Sequence, residues 1–476
     1  MDNLREIVRR SLAWTAAQQW GVQAIRMVVL LVLARMITPA AFGTFAFAST
    51  IVGVVQLVCN QGMTAALFQR HRLEDCHIVA AFASMLTGGL LFTAVLIAAA
   101  PWLAHLFTSP TLVPLLRLLA WSLPLNALSG VPVALWRRDL NFQRTAVVTT
   151  SSQMLASIAA IALAARGFGI WSLAMRMMGE AVLMALLTCR TAPWKLLFRA
   201  SGRSIWSGYR DMSRIAFPIA GVNLMALGRN RIDELLIGSI LGAEALGYYA
   251  LARRQIDSIA SMVPAVIVIA LGPILSRIQH DAPRVRIVML RGIGILGALT
   301  LPPFIGIGAT AGTWVPLFLG VRWQPSVPVL QGLAAVAATR AVVGFSLASL
   351  FAIGHSGRRF LIEAVTTTVS LLITTAALPW GICGIAYACA AGMILITPFE
   401  LLWLSRWLGV SLRDQFRALR TPLFGAATLL ALIVLLQMLP ALSPHSVLRL
   451  SIFAISGGLI LLLSYRSVPP LPNLVL

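Results

Sequence analysis

Apolar segments of about twenty residues recur along this chain roughly fourteen times, the length a helix needs to cross a hydrocarbon core of about 30 Å. Examples are Ile78–Ala100 and Val147–Ala165. Where lipid replaces water, each backbone N–H and C=O must be satisfied internally, so such segments can only be helices. The chain is therefore expected to be all-α and polytopic. Its 476 residues are 59% hydrophobic and only 11% charged, against about a quarter charged in a soluble domain. No stretch remains for a large soluble domain. The first apolar stretch, Leu12–Ala34, lacks a small-residue cleavage site and is followed by others, so it reads as a retained helix.

The segments repeat. Thr38-Pro39-Ala40-Ala41-Phe42-Gly43 with the residues after it aligns with Gly242-Ala243-Glu244-Ala245-Leu246-Gly247 and its continuation. Trp102 and Val113-Pro114 correspond to Trp314 and Val327-Pro328, and Gly169-Ile170-Trp171 to Gly381-Ile382-Cys383. Three matches in one order at near-constant offset imply two related six-helix bundles, with an even number of helices in each and hence the same orientation in the membrane. The expected division is residues 1–200, 201–410 and a further helix pair in 411–476. Two related bundles around a shared axis are the layout with which many carriers alternate access across a membrane.

The formal net charge is +22, but its placement argues against nucleic acid. The arginines cluster in alternate loops: Arg5, Arg9 and Arg10; Arg70 and Arg72; Arg137 and Arg138; Arg190 to Arg214; Arg284 and Arg286; Arg358 and Arg359; Arg406 to Arg420. The intervening loops hold few, chiefly Arg35, Arg166 and Arg322. This asymmetry predicts cytoplasmic termini. The loop Arg190 to Asp211 carries Trp194, Leu197, Phe198, Ile205 and Trp206 among basic residues, a pattern expected of a helix on the inner membrane surface, in contact with anionic lipid. Trp171, Trp314, Trp323 and Trp380 read as interfacial anchors.

No catalytic signature is present. Lys195 is the only lysine, so no phosphate-cradling glycine loop with its lysine exists. The five cysteines and six histidines show no metal-ligand spacing. The chain is expected not to be an enzyme and to hold no metal or cofactor.

The segment Leu33-Ala34-Arg35-Met36-Ile37-Thr38-Pro39-Ala40-Ala41-Phe42-Gly43, and the helix after it ending Gly62-Met63-Thr64-Ala65-Ala66-Leu67, resemble the start of Wzx-type polysaccharide flippases, in particular their colanic-acid and exopolysaccharide branch. The run Arg231-Ile232-Asp233-Glu234-Leu235-Leu236-Ile237-Gly238 with Ala245-Leu246-Gly247-Tyr248-Tyr249 is similar to the seventh-helix signature of that family. The resemblance spans roughly Arg9 to Leu408. Blurred forms of these motifs occur across the multidrug/oligosaccharidyl-lipid/polysaccharide exporter superfamily. The resemblance implies two six-helix bundles around a cavity. It also implies transport of an undecaprenyl-pyrophosphate-linked oligosaccharide across the bacterial inner membrane for exopolysaccharide, lipopolysaccharide or capsule biosynthesis. Membrane lipid, a polysaccharide polymerase and export machinery are the further partners implied.

Charges at bilayer depth mark candidate sites, since each costs about 3 kcal/mol on insertion scales. Arg229 and Asp233, Arg176 and Glu180, and Arg253 and Asp257 are each four apart, so each pair either neutralises itself within a helix or serves the substrate. Arg26, Arg254 and Arg340 have no such partner. In the repeat Arg26 falls opposite Asn230, beside Arg229 and Arg231, about twelve residues or 18 Å below the outer helix ends. Gln19, Gln23 and Arg26 share one helical stripe, with Gln18 beside it. Guanidiniums match phosphate oxygens as paired donors, and amides suit sugar hydroxyls. The candidate substrate-binding residues are thus Arg26, Arg229, Arg231, Arg254, Arg340, Gln19 and Gln23. Asp233, Glu234, Asp257 and Glu363 are candidates for gating or for coupling to Na+ or H+. Two other assignments fit less well. A cation-coupled drug exporter of the same superfamily would favour acidic groups at depth, and a membrane polymerase would need a large arginine-bearing outer loop.

Overall fold

The computed structural model describes residues 21–60, 62–70, 72–107, 109–139, 141–260, 278, 281–352, 356–438, 451–453 and 455–460. Among them there is no strand. The helices are α1 (21–36), α2 (Pro39–Asn60), α3 (Met63–Gln69), α4 (Asp75–Leu106), α5 (Leu112–Ala120), α6 (Ser122–Arg138), α7 (Phe142–Ala165), α8 (Ile170–Cys189) and α9 (Trp194–Arg199). They continue with α10 (Gly202–Ala260), α11 (Ala282–Ala309), α12 (Ala311–Phe318), α13 (Ser326–Ala352), α14 (Ser356–Ala377), α15 (Gly381–Leu408), α16 (Leu412–Met438) and α17 (Ser451–Ile460). Ten helical stretches among the described residues are long and apolar enough to cross a membrane, and one of these, Leu361–Trp403, holds parts of both α14 and α15. Parts of the first apolar stretch, Leu12–Ala34, and of the expected helix pair in 411–476 lie outside the described residues.

Several boundaries differ from the expectation. The helix expected to run on after Gly43 to Leu67 is instead broken at Gly62 into α2 and α3. The loop Arg190 to Asp211 yields only the six-residue α9, and Ile205 and Trp206 already belong to α10. Trp194 is packed inward and partly buried. Its ring meets Phe82 edge-on at 5.2 Å, its Nε1–H donates to the Cys189 carbonyl at 2.9 Å, and it packs against the core of α3, α4 and α6. Trp323, expected as an interfacial anchor, is instead fully buried, with Tyr248 edge-on at 5.9 Å. Trp380 is exposed as an anchor should be.

Two compact units divide the chain, Met1–Gly247 and Tyr248–Leu476. In the first, α4 packs on α5 and α6, α6 on α8, α8 on α7, and α2 on α5. In the second, α11 packs on α13 and α16, and α15 on α13 and α14. The C-terminal helices are part of this packing. Leu429, Ile433 and Phe453 form a buried cluster beside Ala309, and the Gln437 amide donates to the Ala309 carbonyl at 3.1 Å. Many large apolar side chains face outward, among them Leu90, Leu91 and Val95 on α4 and Leu372 on α14, as suits helices whose surroundings are lipid.

The repeated glycines show what the sequence repeat is for. Gly43 on α2 and Gly247 at the end of the first unit lie against one another, so close that a Cβ on Gly43 would fall 1.7 Å from the Ala243 carbonyl oxygen, and one on Gly247 would fall 2.0 Å from that of Pro39. Only hydrogen fits where two helix backbones approach in this way. Gly242, five residues earlier, breaks α10 with φ 87° and ψ 179°, letting the chain turn from one helix into the next through a single residue. Gly169 and Gly381, equated by the repeat, both have positive φ. Gly43→Ala is therefore expected to destabilise the protein by about 3 kcal/mol, the upper range for overpacking. Gly221→Ala, which has nothing within 4 Å, should leave the detergent-solubilised melting temperature unchanged. Equal melting temperatures for the two variants would contradict the close approach.

Candidate functional site

The deepest carboxylate of the first unit belongs to Glu234 on α10. It is fully buried, and three groups satisfy it or its backbone. Thr50 on α2 donates its hydroxyl to Oε2 at 2.5 Å, and Arg231, one turn earlier, donates from Nη1 to Oε1 at 2.6 Å. The Glu234 N–H donates to Oδ1 of Asp233 at 2.9 Å, and Asp233 is itself buried. Sequence spacing had drawn attention to pairs four apart. Here the working pair is three apart, and its second partner, Thr50, comes from another helix. Removing Arg231 would leave the Glu234 carboxylate charged and desolvated with only the Thr50 hydroxyl, which is destabilising, whereas Arg231, itself a third exposed, could turn to water.

A second polar group lies on α1, α7 and α8. Arg26 is exposed and Arg176 partly buried. Their charges interact, and Arg176 also feels Glu180. Yet Arg176 and Glu180 do not form the ion pair that their spacing allows. The Glu180 Oε1 instead accepts a hydrogen bond from Nε2 of Gln153 on α7 at 2.8 Å. Among the described residues neither Arg26 nor Arg176 has a hydrogen bond or an ion pair. The Gln153 side chain is buried and its Oε1 has no partner. A third network is purely amide: Asn126 on α6 donates to Gln56 on α2 at 3.0 Å, and Gln56 donates to Asn60 at 3.1 Å. Thr50, Gln153, Gln56 and Asn126 were missed by sequence reasoning. Their one signal is a polar side chain deep in an apolar run.

The other candidates are distributed as follows. Gln19 and Gln18, and the side chain of Arg229, lie outside the described residues. Gln23 is partly buried on α1 and engaged in an interaction of its own. In the second unit, Arg253 pairs with Asp257 at 3.4 Å, as the spacing allows, and also donates to the Tyr249 hydroxyl at 3.4 Å. Arg254, Arg340 and Glu363 are partly buried and engaged. The structure thus brings Arg231 together with Glu234, and Arg253 with Asp257.

A family model described as polysaccharide biosynthesis protein matches residues 32–328. The chain belongs to this family. Along its length it is similar to the succinoglycan biosynthesis transport protein ExoT of Rhizobium meliloti, at 27% identity over 97% of this chain and 94% of that protein. The lipopolysaccharide biosynthesis protein WzxC of Escherichia coli is 23% identical over 71% of this chain and 69% of its own length. Among solved structures, the inward closed conformation of the lipid II flippase MurJ superposes with a TM-score of 0.72 at 12% identity, covering 94% of this chain and 96% of that one. The fold is therefore the one seen in that structure, all-α with many helices long and apolar enough to cross a membrane, as the sequence resemblance implied.

In the first unit of this family member, a fourth cluster ties the α3–α4 turn to the N-terminal part of α10. Asp211 Oδ2 accepts from Arg70 at 2.5 Å and from Nε2 of His77 at 3.2 Å. The Nδ1 of His77 accepts the Glu74 N–H at 3.1 Å as half of a capping box that starts α4, and this fixes the proton on Nε2. Arg138 meanwhile donates to the carbonyls of Leu67 and Arg70 at 2.7 and 2.6 Å. The histidines had been expected to form no ligand cluster, but Glu74, Cys76 and His77 offer atoms within 4.8 Å of one another. Both His77 ring nitrogens are already engaged, so this group does not present an open ligand set for a metal.

The hydrogen bonds from Arg70 and His77 hold the Asp211 carboxyl below its ordinary value of 3.8. A lowered carboxylate pKa gives stability that is complete above the ordinary value and is lost as pH falls through the folded one. Asp211→Asn is expected to melt about 1–3 °C lower than wild type at pH 6, a small effect because the group is half exposed. The difference should shrink as pH drops below 3.8. A gap that stays constant down to pH 3 would show that the carboxylate is not what the cluster uses.

Proposed function

We propose that this protein is a flippase that carries an undecaprenyl-pyrophosphate-linked oligosaccharide from the inner to the outer leaflet of a bacterial inner membrane by alternating access. The observation that carries the reading is Arg26, a guanidinium on α1, expected from its sequence to lie in the membrane, that has neither hydrogen bond nor ion pair among the described residues. Left against lipid, it would cost about 3 kcal/mol or more. It is accommodated where water or an anion reaches it, and a lipid pyrophosphate is an anion of the right depth and geometry. Membership of the polysaccharide biosynthesis family, likeness to ExoT and WzxC, and the fold shared with the lipid II flippase MurJ support the same reading.

On this reading Arg26, Arg229, Arg231, Arg254 and Arg340 contact pyrophosphate, and Gln19 and Gln23 contact sugar hydroxyls. Asp233, Glu234, Asp257 and Glu363 respond to H+ or Na+. The Glu234 cluster illustrates how coupling would work. A substrate anion that draws Arg231 toward itself leaves Glu234 with only the Thr50 hydroxyl, and an uncompensated buried carboxylate then takes up a cation or a proton. The two bundles would be residues 1–200 and 201–410, with 411–476 an added pair, both termini would be cytoplasmic, and polymerase and export machinery would act downstream. Unpartnered cations at depth disfavour a cationic drug as substrate.

The test is a deletion strain complemented with wild type or Arg26→Ala, in which carrier-linked oligosaccharide and exported polymer are measured. Loss of export with accumulation of lipid-linked units, reversed at least tenfold better by wild type than by Arg26→Ala, is the expected outcome. An unchanged pool and polymer in the deletion strain would overturn the flippase reading.

A further inference from the structure

The run Arg210-Asp211-Met212-Ser213-Arg214 near the start of α10 returns as Arg413-Asp414-Gln415-Phe416-Arg417 at the start of α16. In both places the aspartate pairs with its own unit and not with the arginine three residues on. Asp211 takes Arg70, which follows α3, and His77 on α4, while Asp414 pairs with Arg286 on α11. The same side of each helix is closed by packing. A Cβ on Gly208 would fall 2.4 Å from the Cys76 carbonyl oxygen, and Met212 and Ala216 are fully buried. On α16 the buried residues are Gln415, Leu419 and Pro422. At about 100° per residue, the exposed Arg203, Trp206, Arg210, Arg214 and Phe217 fall within about 80° of one another on the opposite side of α10. The exposed Arg413, Arg417, Arg420 and Phe424 fall within about 60° of one another, opposite the buried side of α16. Among the described residues none of these arginines makes a side-chain hydrogen bond or an ion pair. Each stripe runs from arginine to an exposed phenylalanine, the order of a helix that passes from a headgroup layer into hydrocarbon.

We propose that these two stripes bind the phosphodiester headgroup of an anionic phospholipid, one site in each unit, on the side that the arginine asymmetry predicts to be cytoplasmic. Arg210 and Arg214 are four apart, as are Arg413 and Arg417, so their side chains lie next to one another and two guanidiniums share one phosphate. A zwitterionic lipid offers the same phosphate but brings an ammonium group that the arginines repel, so charge complementarity selects a headgroup with net negative charge. Trp206, exposed and stacked on Tyr209 at 5.9 Å, supplies a ring suited to headgroup level. Phe217 and Phe424 offer apolar surface to the acyl chains. A scattered basic patch explains neither the recurrence nor the division of labour within it. In each unit the aspartate is turned to the protein and the arginines are turned away from it. A lipid so bound holds the N-terminal part of α10, the helix that carries Arg231 and Glu234, at the leaflet surface. The proposal does not depend on the flippase reading, because this lipid is a resident of the membrane and not the cargo.

The experiment is native mass spectrometry of the full-length protein in detergent, titrated with phosphatidylglycerol, phosphatidylethanolamine or inorganic phosphate. Wild type is expected to retain two phosphatidylglycerol molecules per chain, each bound at least tenfold tighter than phosphatidylethanolamine. An arginine near an anionic lipid surface is worth about fivefold in affinity, so losing a pair should weaken its site at least tenfold. Arg210→Gln with Arg214→Gln should therefore retain one lipid, Arg413→Gln with Arg417→Gln should retain one, and the fourfold variant none. Arg210→Lys with Arg214→Lys keeps the charge and should still retain two. Arg72→Gln with Arg137→Gln removes two exposed arginines outside both stripes and should also retain two. Melting temperatures in phosphatidylcholine nanodiscs, where no anionic lipid is present, should match wild type for every variant. Equal loss of lipid by the Arg72 and Arg137 variant would reduce the effect to overall charge and overturn the two sites. Equal retention of phosphatidylethanolamine would overturn the anionic assignment. Inorganic phosphate that binds as tightly and displaces the lipid would make the occupant a soluble anion. Loss of both lipids from either double variant would overturn the placement of one site in each unit. All of these outcomes leave the flippase reading as it stands, since that reading is tested by polymer export.

Discussion

In hydrocarbon a polar group has no water to fall back on, so each one must find a partner in the protein or lie on a path that water or a ligand can reach. That constraint separates the polar residues of this chain into two kinds. Glu234 is saturated: a hydroxyl from α2 and a guanidinium from its own helix fill its carboxylate oxygens, and no solvent touches it. Arg26 and Arg176 are not saturated, although their donors are the more numerous. Among the described residues the fold thus satisfies a buried carboxylate fully while two arginines make no hydrogen bond.

The same constraint explains which parts of the architecture could be read from the sequence. Length and apolarity fix the helices because a spanning segment has no alternative to being one. The repeat fixes the glycines, and Gly43 and Gly247, aligned as sequence, meet as backbones. What the sequence does not reveal is which residue on another helix a given side chain meets. The spacing of Arg176 and Glu180 invited an ion pair within one helix, but Gln153, 27 residues before Glu180, took the carboxylate. Thr50 stands 184 residues from Glu234 and offers a hydroxyl that sequence alone gives no reason to single out. Within-helix spacing was a sound guide for Arg253 and Asp257, which pair at 3.4 Å even though Arg253 also donates to the Tyr249 hydroxyl.

Tryptophan shows the same limit. Trp323 and Trp380 both sit near helix ends, where aromatic residues commonly mark the membrane interface. Trp380 is exposed, while Trp323 is enclosed and braced by Tyr248. Trp194 was assigned to the membrane surface on the basicity of its neighbours, but docks on Phe82 and satisfies its indole N–H on a helix-terminal carbonyl. Position along the membrane normal can be inferred from a sequence. Rotation about it, which decides whether a ring faces lipid or core, is set by packing.

A carrier must hold its cargo and let it go, and charge is a coarse instrument for this because electrostatic attraction strengthens steeply as the dielectric falls. Glu180 lies one helical turn from Arg176 and is held by a single neutral hydrogen bond from Gln153, worth about 1 kcal/mol. The Glu234 cluster is built the other way, with its acid held by a charged donor and a hydroxyl, so displacing Arg231 from it demands a stronger competitor.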